Sequence, residues 1–200
     1  MPSDLFLAFV AYAFVTSITP GPNNTLLLAS GATYGFRRTV PMILGVTLGF
    51  SFMVLAVGLG LGGVFLASPM LHEIIRVTGA GYLAYLAWKM ASAPVEGIDR
   101  TDARPLGFAR MAAFQWVNPK AWIMAVGAVA TYAPQERFIA NIALLALVYL
   151  MVNAPCVTLW AGFGTMLRGI LASPLRQRLF NIVMALMLLG SLYPILTAVV

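Results

Sequence analysis

Long apolar runs separated by short polar intervals make up nearly the whole chain. The runs lie at Leu5–Ala32, Val40–Ala67, Leu71–Met90, Met111–Ala133, Phe138–Leu167 and Leu179–Val199. Each matches or exceeds the ~20 residues that carry a helix across the hydrocarbon core of a bilayer. The longest polar interval, Ala91 to Gly107, is too short to fold alone and holds Pro94, Gly97, Asp99 and Asp102, so it predicts a surface linker. The pattern therefore predicts an all-α membrane protein of about six transmembrane helices, forming one membrane domain over residues 1–200. Three spans on either side of the linker must cross in opposite senses. Any similarity between the halves, about 1–91 and about 108–200 with the linker at about 92–107, is then an inverted repeat.

Two of the runs are interrupted. Thr19-Pro20-Gly21-Pro22-Asn23 falls inside the first and Asn118-Pro119-Lys120 inside the fourth. Proline removes a backbone donor and clashes with the preceding turn, so an unbroken helix through either segment is excluded. Irregular backbone at membrane depth is tolerated where it faces protein or a water-filled cavity. Broken helices at matching places in two inverted halves point to a transporter whose substrate binds between the halves. Ordinary proline kinks are the competing reading of either break taken alone. Asn153-Ala154-Pro155 makes a third polar interruption, in the fifth run, which either lines the same cavity or forms a kink with an interhelical hydrogen bond.

Composition sharpens this picture. Hydrophobic residues make up 61% of the chain, charged residues 9%, and the mean hydropathy is +0.91. The formal net charge of +6 reads as membrane orientation and not as a nucleic-acid surface. Arg37, Arg38, Lys89, Arg100, Arg104, Arg110, Arg168, Arg176 and Arg178 all fall in one set of loops, against Arg76 and Arg137 in the other. By the positive-inside rule the first set is cytoplasmic, which places the linker inside and both termini on the outer, periplasmic side. The start Met1-Pro2-Ser3-Asp4 lacks the basic segment of a cleavable signal, so the first span is expected to be retained.

Lys120 is the basic residue left within a span. From Arg110 to Pro119 a helix climbs ~13 Å, close to half of a ~30 Å core. A lysine there costs about 3 kcal/mol on insertion scales unless compensated. Its ammonium either meets an anionic group of the substrate in a wet cavity, titrates during transport, or snorkels to the interface. Asn23, Asn24 and Asn118 adjoin the breaks and can cap the half-helices that follow, whose N-termini suit a carboxylate. The candidate substrate-binding set is Pro20, Gly21, Pro22, Asn23, Asn118, Pro119, Lys120 and Asn153.

Missing groups narrow the mechanism. Asp4, Glu73, Glu96, Asp99, Asp102 and Glu136 all fall in loops or at span ends, which argues against a buried carboxylate relay. If protons are the coupling ion, their carriers reduce to Lys120, the substrate's own groups, and Glu73, which stands one turn before Arg76 and can simply pair with it. The single cysteine, Cys156, excludes an internal disulfide, a Cys-pair metal site and a dithiol relay. His72 has no second His or Cys for a metal, and no Ser or His stands near a mid-membrane acid. Neither a cofactor nor enzymatic chemistry is expected. Gly45 and Gly49, Gly58 to Gly63, Gly79 and Gly81, and Gly162 and Gly164 predict close packing of the second, third and fifth spans, equally compatible with a monomer and a homodimer.

Several segments in order carry a family resemblance: Thr19-Pro20-Gly21-Pro22-Asn23-Asn24, Gly35-Phe36-Arg37-Arg38, Leu44-Gly45 to Leu48-Gly49, Gly79-Ala80-Gly81-Tyr82-Leu83 with Trp88-Lys89, and Gly107-Phe108 leading to Asn118-Pro119-Lys120-Ala121. Together they resemble the LysE/RhtB family of amino-acid exporters over nearly the whole chain. The resemblance implies a bacterial inner-membrane exporter of small amino acids or derivatives, of the cysteine/O-acetylserine or threonine/homoserine type. Many relatives carry an acidic or amide residue after the glycine pair of the second span, whereas here Gly49 is followed by Phe50-Ser51-Phe52. An apolar residue there, with Asn23-Asn24 and Gly35-Phe36-Arg37, resembles the branch that exports cysteine and O-acetylserine, and the lack of a buried carboxylate to meet a cationic side chain argues against lysine. The alternative from another class is a membrane scaffold or assembly subunit without transport activity.

Overall fold

Proline and glycine divide the chain into its helices. The computed structural model describes residues 1–93 and 105–193. The linker residues Pro94, Glu96, Gly97, Asp99, Arg100, Asp102 and Arg104, and the end of the last apolar run, lie outside them. Among the described residues the fold is entirely helical: α1 (Ser3–Ile18), α2 (Pro22–Tyr34), α3 (Phe36–Ala56), α4 (Gly62–Ala67), α5 (Pro69–Ala91), α6 (Phe108–Phe114), α7 (Pro119–Tyr132), α8 (Phe138–Leu167) and α9 (Pro174–Gly190). Pro22, Pro69, Pro119 and Pro174 each open a helix, where the missing N–H has no intrahelical partner to lose.

The first apolar run becomes α1 and α2, bent by 52° at the Pro-Gly-Pro break. The second becomes α3 and α4, joined through a π turn at Val57–Leu61 in which Gly60 takes φ 129°, a conformation suited to glycine. Met111–Ala133 becomes α6, a short 3-10 turn at Gln115–Val117 and α7. Phe138–Leu167 is one helix with the bounds the apolar pattern predicts, and it continues through Pro155. Phe36–Ala67, with 32 residues, and Phe138–Leu167, with 30, each hold an 18-residue stretch of mean hydropathy above 2, 2.3 and 2.2, and are long and apolar enough to cross a membrane, and the bent pair α1–α2 is a third candidate.

Large apolar side chains point outward along these helices, Leu44, Leu48 and Phe52 on α3 and Leu147, Met151, Leu159 and Phe163 on α8 among them. Such contiguous apolar surface is unsuited to water and suited to lipid. Inside, apolar side chains such as Phe9, Met53, Leu83 and Leu145 form the core, and glycines set the closest helix contacts. A Cβ on Gly31 of α2 would strike the Ala161 carbonyl of α8, and one on Gly164 of α8 would strike the Leu28 carbonyl of α2. The two helices thus approach backbone to backbone through reciprocal glycines. Gly45 and Gly49 of α3 do the same for α6, where an added Cβ would lie 2.8 Å from Met111 Cβ and 2.7 Å from Ala112 Cα. Gly79 of α5 faces Val117 and Pro119 at the second break.

The second and fifth spans do pack on each other, with Gly58 seated against Ile142 of α8, as the spacing predicts, while Gly45 and Gly49 face α6, Gly164 faces α2, and Gly79 of the third span turns to the second break. At the second break, Gly79 lets α5 come close enough to cover the irregular backbone at Val117 and Pro119. α3 does pack on α8, while α5 packs on α9.

Substitution separates these roles. Gly164→Ala forces a shift of backbone and is expected to cost about 1–3 kcal/mol, as overpacking does. Gly162→Ala, which meets nothing within 4 Å, is expected to be neutral or to gain up to about 1 kcal/mol of helix propensity. Thermal unfolding of the purified protein in detergent reads both.

Candidate functional site

The residue before a proline is driven to extended backbone, and both breaks obey this. Thr19 (φ −63°, ψ 144°) precedes Pro20, Gly21 (φ 176°, ψ 178°) precedes Pro22, and Asn118 (φ −91°, ψ 105°) precedes Pro119. Gly21 is simply extended; its glycine is needed for space, since a Cβ there would lie 2.9 Å from Lys120 Cδ.

The two breaks meet and exchange hydrogen bonds. Asn23, one residue after Pro22, donates from Nδ2 to Gln115 Oε1 at 2.9 Å, and Gln115 Nε2 donates back to Asn23 Oδ1 at 3.1 Å. Gln115 is fully buried and also donates to the Met111 carbonyl at 2.9 Å. Lys120, one residue after Pro119, donates from Nζ to the Thr19 carbonyl and Thr19 Oγ1, both at 3.0 Å, and to the Pro20 carbonyl at 3.2 Å. Each half thus reaches, from the residue after its proline, to the segment just before the proline of the other. Three acceptors meet the three N–H donors of the ammonium, which offsets the cost of its half-buried position. The ammonium is turned to the first break.

α8 holds the first break from behind. Asn24 Nδ2 donates to the Ser17 and Thr19 carbonyls, both at 2.8 Å, so this side chain closes the end of α1 instead of capping α2. Asn153 Nδ2 donates to Ser17 Oγ at 3.2 Å and Trp160 Nε1 to the Ile18 carbonyl at 3.0 Å. Asn118 stands at the N-cap of α7 without making a side-chain cap.

A cavity of about 20 Å³ lies at the junction, room for a water. Gly21, Pro22, Asn23, Asn118, Lys120 and Asn153 of the candidate set line it. Pro20 contributes its carbonyl to Lys120 without lining the cavity, and Pro119 is buried against α5. The N-termini of α2 and α7 both open on it. Asn118 Oδ1 and Asn153 Oδ1 are buried there and have no hydrogen-bond partner among the described residues. Phe50, Met124 and Val157 supply an apolar wall. Behind Phe50, rings from four helices form one cluster: Phe9 lies 5.2 Å from Tyr149 and 5.3 Å from Tyr132, Tyr12 lies 5.4 Å from Tyr132, and Phe50 lies 4.9 Å from Tyr149.

Sequence reasoning missed Gln115 and Phe50 as members of the site. Gln115 carries a recognisable signal, an amide within an apolar run just before a break. Phe50 carries none beyond its place after Gly49. The carboxylates of the described residues, Asp4, Glu73 and Glu136, are all exposed, and Glu73 pairs with Arg76 at 2.7 Å as their spacing predicts. His72 packs its ring on Phe65. Among the described residues no group of His, Cys, Asp and Glu could hold a metal.

The family model described as "LysE type translocator" matches residues 14–191. Curated proteins named cysteine/O-acetylserine efflux protein, from Escherichia coli strain K12 and Shigella flexneri, are each 32% identical to this chain over 190 residues, covering 94% of it and 95% of their own length. No solved structure matches.

The amide pair between the breaks should behave as one unit. Asn23→Ala and Gln115→Ala are each expected to destabilise by about 1–3 kcal/mol, because a buried amide is left unpaired. The double variant should cost less than their sum by about 1 kcal/mol, read as a double-mutant cycle of unfolding in detergent.

Proposed function

Because the chain belongs to the LysE type translocators and is a membrane transporter and not an enzyme, we propose that it exports small neutral amino acids of the cysteine/O-acetylserine type from the cytoplasm, by alternating access around the cavity between its two broken helices. The scaffold alternative has no support in that family membership. The observation that carries the reading is the pairing of opposite chemistries in one cavity. Lys120 and the N-termini of α2 and α7 suit a carboxylate. The unpartnered oxygens of Asn118 and Asn153 suit an ammonium. A zwitterion satisfies both, and the apolar wall of Phe50, Met124 and Val157 favours a small uncharged side chain over a cationic one.

An amino acid is several times larger than the cavity, so the halves must separate to admit it. Lys120 supplies a route: a substrate carboxylate competes with the Thr19 and Pro20 carbonyls for its ammonium, and a charge-assisted bond outcompetes neutral acceptors. Binding then releases the first break from the second. The reading takes the chain as six spans in two inverted repeats, with the linker cytoplasmic and both termini periplasmic. The ring cluster of Phe9, Tyr12, Tyr132 and Tyr149 then closes the outer side, and the glycine contact of α2 with α8 closes the inner side. The names of the cysteine/O-acetylserine efflux relatives support this substrate class over the threonine/homoserine type. A proton moved with the substrate has Lys120 and the substrate's own ionisable groups as carriers, since none of the described carboxylates is buried.

Efflux from preloaded cells tests this, with a labelled panel of cysteine, O-acetylserine, threonine, homoserine and leucine and matched membrane levels of each variant. Wild type is expected to export cysteine or O-acetylserine. Lys120→Ala should lower that rate at least about tenfold, and Asn153→Leu should raise the half-saturating internal concentration about tenfold, the loss of one charge-assisted hydrogen bond. Equal export by wild type and Lys120→Ala removes the lysine from the mechanism.

A further inference from the structure

A second and larger cavity, of about 620 Å³, opens between α2, α5, α6 and α9, away from the junction of the breaks. Its charges are Lys89 in the last turn of α5 and Arg110 near the start of α6, and no carboxylate joins them among the described lining residues. The ion pair among the described residues, Arg76–Glu73, lies elsewhere. Polar amides, Gln177 and Asn181 of α9, add donors beside the two cations. Below them the walls are apolar, from Leu86, Met42 and Leu106.

The cavity also sits where a membrane surface is expected. Trp88 lines its rim at 66% exposure, with Tyr85 48% exposed and its ring 6.4 Å away. Exposed tryptophan and tyrosine at a helix end next to cations mark the level of lipid headgroups. A site with two cations above and hydrocarbon below matches one ligand chemistry, an anionic headgroup carrying an acyl chain. Basic pockets between helices on the cytoplasmic side take such lipids.

We propose that this cavity is a binding site for an anionic phospholipid of the inner leaflet, with the phosphate between Lys89 and Arg110 and an acyl chain against Leu86 and Met42. The inference rests on the orientation in the transport reading, with the linker side cytoplasmic, and is independent of the transport cycle and of the cavity at the breaks. Its occupant is held by charge, so a lipid of zwitterionic headgroup binds more weakly.

Trp88 offers a direct readout. The purified full chain in neutral detergent is mixed with brominated phosphatidylglycerol or brominated phosphatidylcholine, and quenching of the Trp88 fluorescence is taken as the difference between wild type and Trp88→Phe. Phosphatidylglycerol is expected to reach half-quenching at a mole fraction about five-fold lower or more, the effect of one to two surface cations. Lys89→Gln with Arg110→Gln should abolish that preference, whereas Lys89→Arg with Arg110→Lys should keep it. High salt applied to wild type should also abolish it, which decides the matter even where the neutral variant fails to fold. Equal quenching by the two lipids in wild type overturns the proposal. So does a preference that survives the neutral variant or high salt. Displacement of phosphatidylglycerol by excess O-acetylserine overturns it as well, and makes the cavity an entry for the exported solute.

Discussion

The exchange of hydrogen bonds between the two proline breaks is the constraint on which the rest of the molecule depends. Irregular backbone deep in a membrane protein leaves carbonyls and N–H groups without helical partners, and each must be met locally. Here each break reaches into the other: Lys120 takes up the Thr19 and Pro20 carbonyls of the first, and Asn23 pairs with the Gln115 side chain that precedes the second. The Thr16 and Ile18 carbonyls that Pro20 and Pro22 cannot reach are met by Thr19 Oγ1 and Trp160. Neither break could be satisfied as it is without its counterpart. Glycine faces bring the neighbouring helices close around this junction: Gly79 of α5 covers the second break directly, while those of α3 and α8 seat α6 and α2, the helices on either side of the breaks.

Much of this architecture is legible in the sequence, because prolines and apolar runs act through local sterics and solvation. The bounds of α8 and the positions of both interruptions follow from residue type alone. The kink at Gly60 does not, since glycine in an apolar run is common and only the positive φ reveals its use. Partner choice is the other illegible part. Gly45-x-x-x-Gly49 announces a close contact without saying with which helix, and the answer, α6, depends on the three-dimensional path of the chain.

The site shows the same division. Lys120, Asn23, Asn118 and Asn153 stand out because polar groups in apolar runs are costly, and the structure gathers all four around one cavity. What residue type could not convey is that Lys120 is already occupied by three acceptors and that Asn24 serves the end of α1. Phe50 is the reverse case: its place after Gly49 marks a departure from relatives, and only the structure turns that departure into a wall of the cavity that holds the amides.

The corner between α2 and α3 bears on how any rearrangement can proceed. A single residue, Gly35 at φ 80°, joins the two helices, and Ser30 Oγ and Thr39 Oγ1 lie 2.8 Å apart across it. No slack remains there for α2 to slide along its own axis. Its other end follows the extended Pro-Gly-Pro segment, where the prolines hold Thr19 and Gly21 extended and side-chain hydrogen bonds from Asn23 and Lys120 tie it to the second break. A rod pinned at one end and tied at the other by side-chain hydrogen bonds swings as a lever once those bonds are exchanged, so small rotations at the corner become the largest displacements at Asn23, beside the cavity.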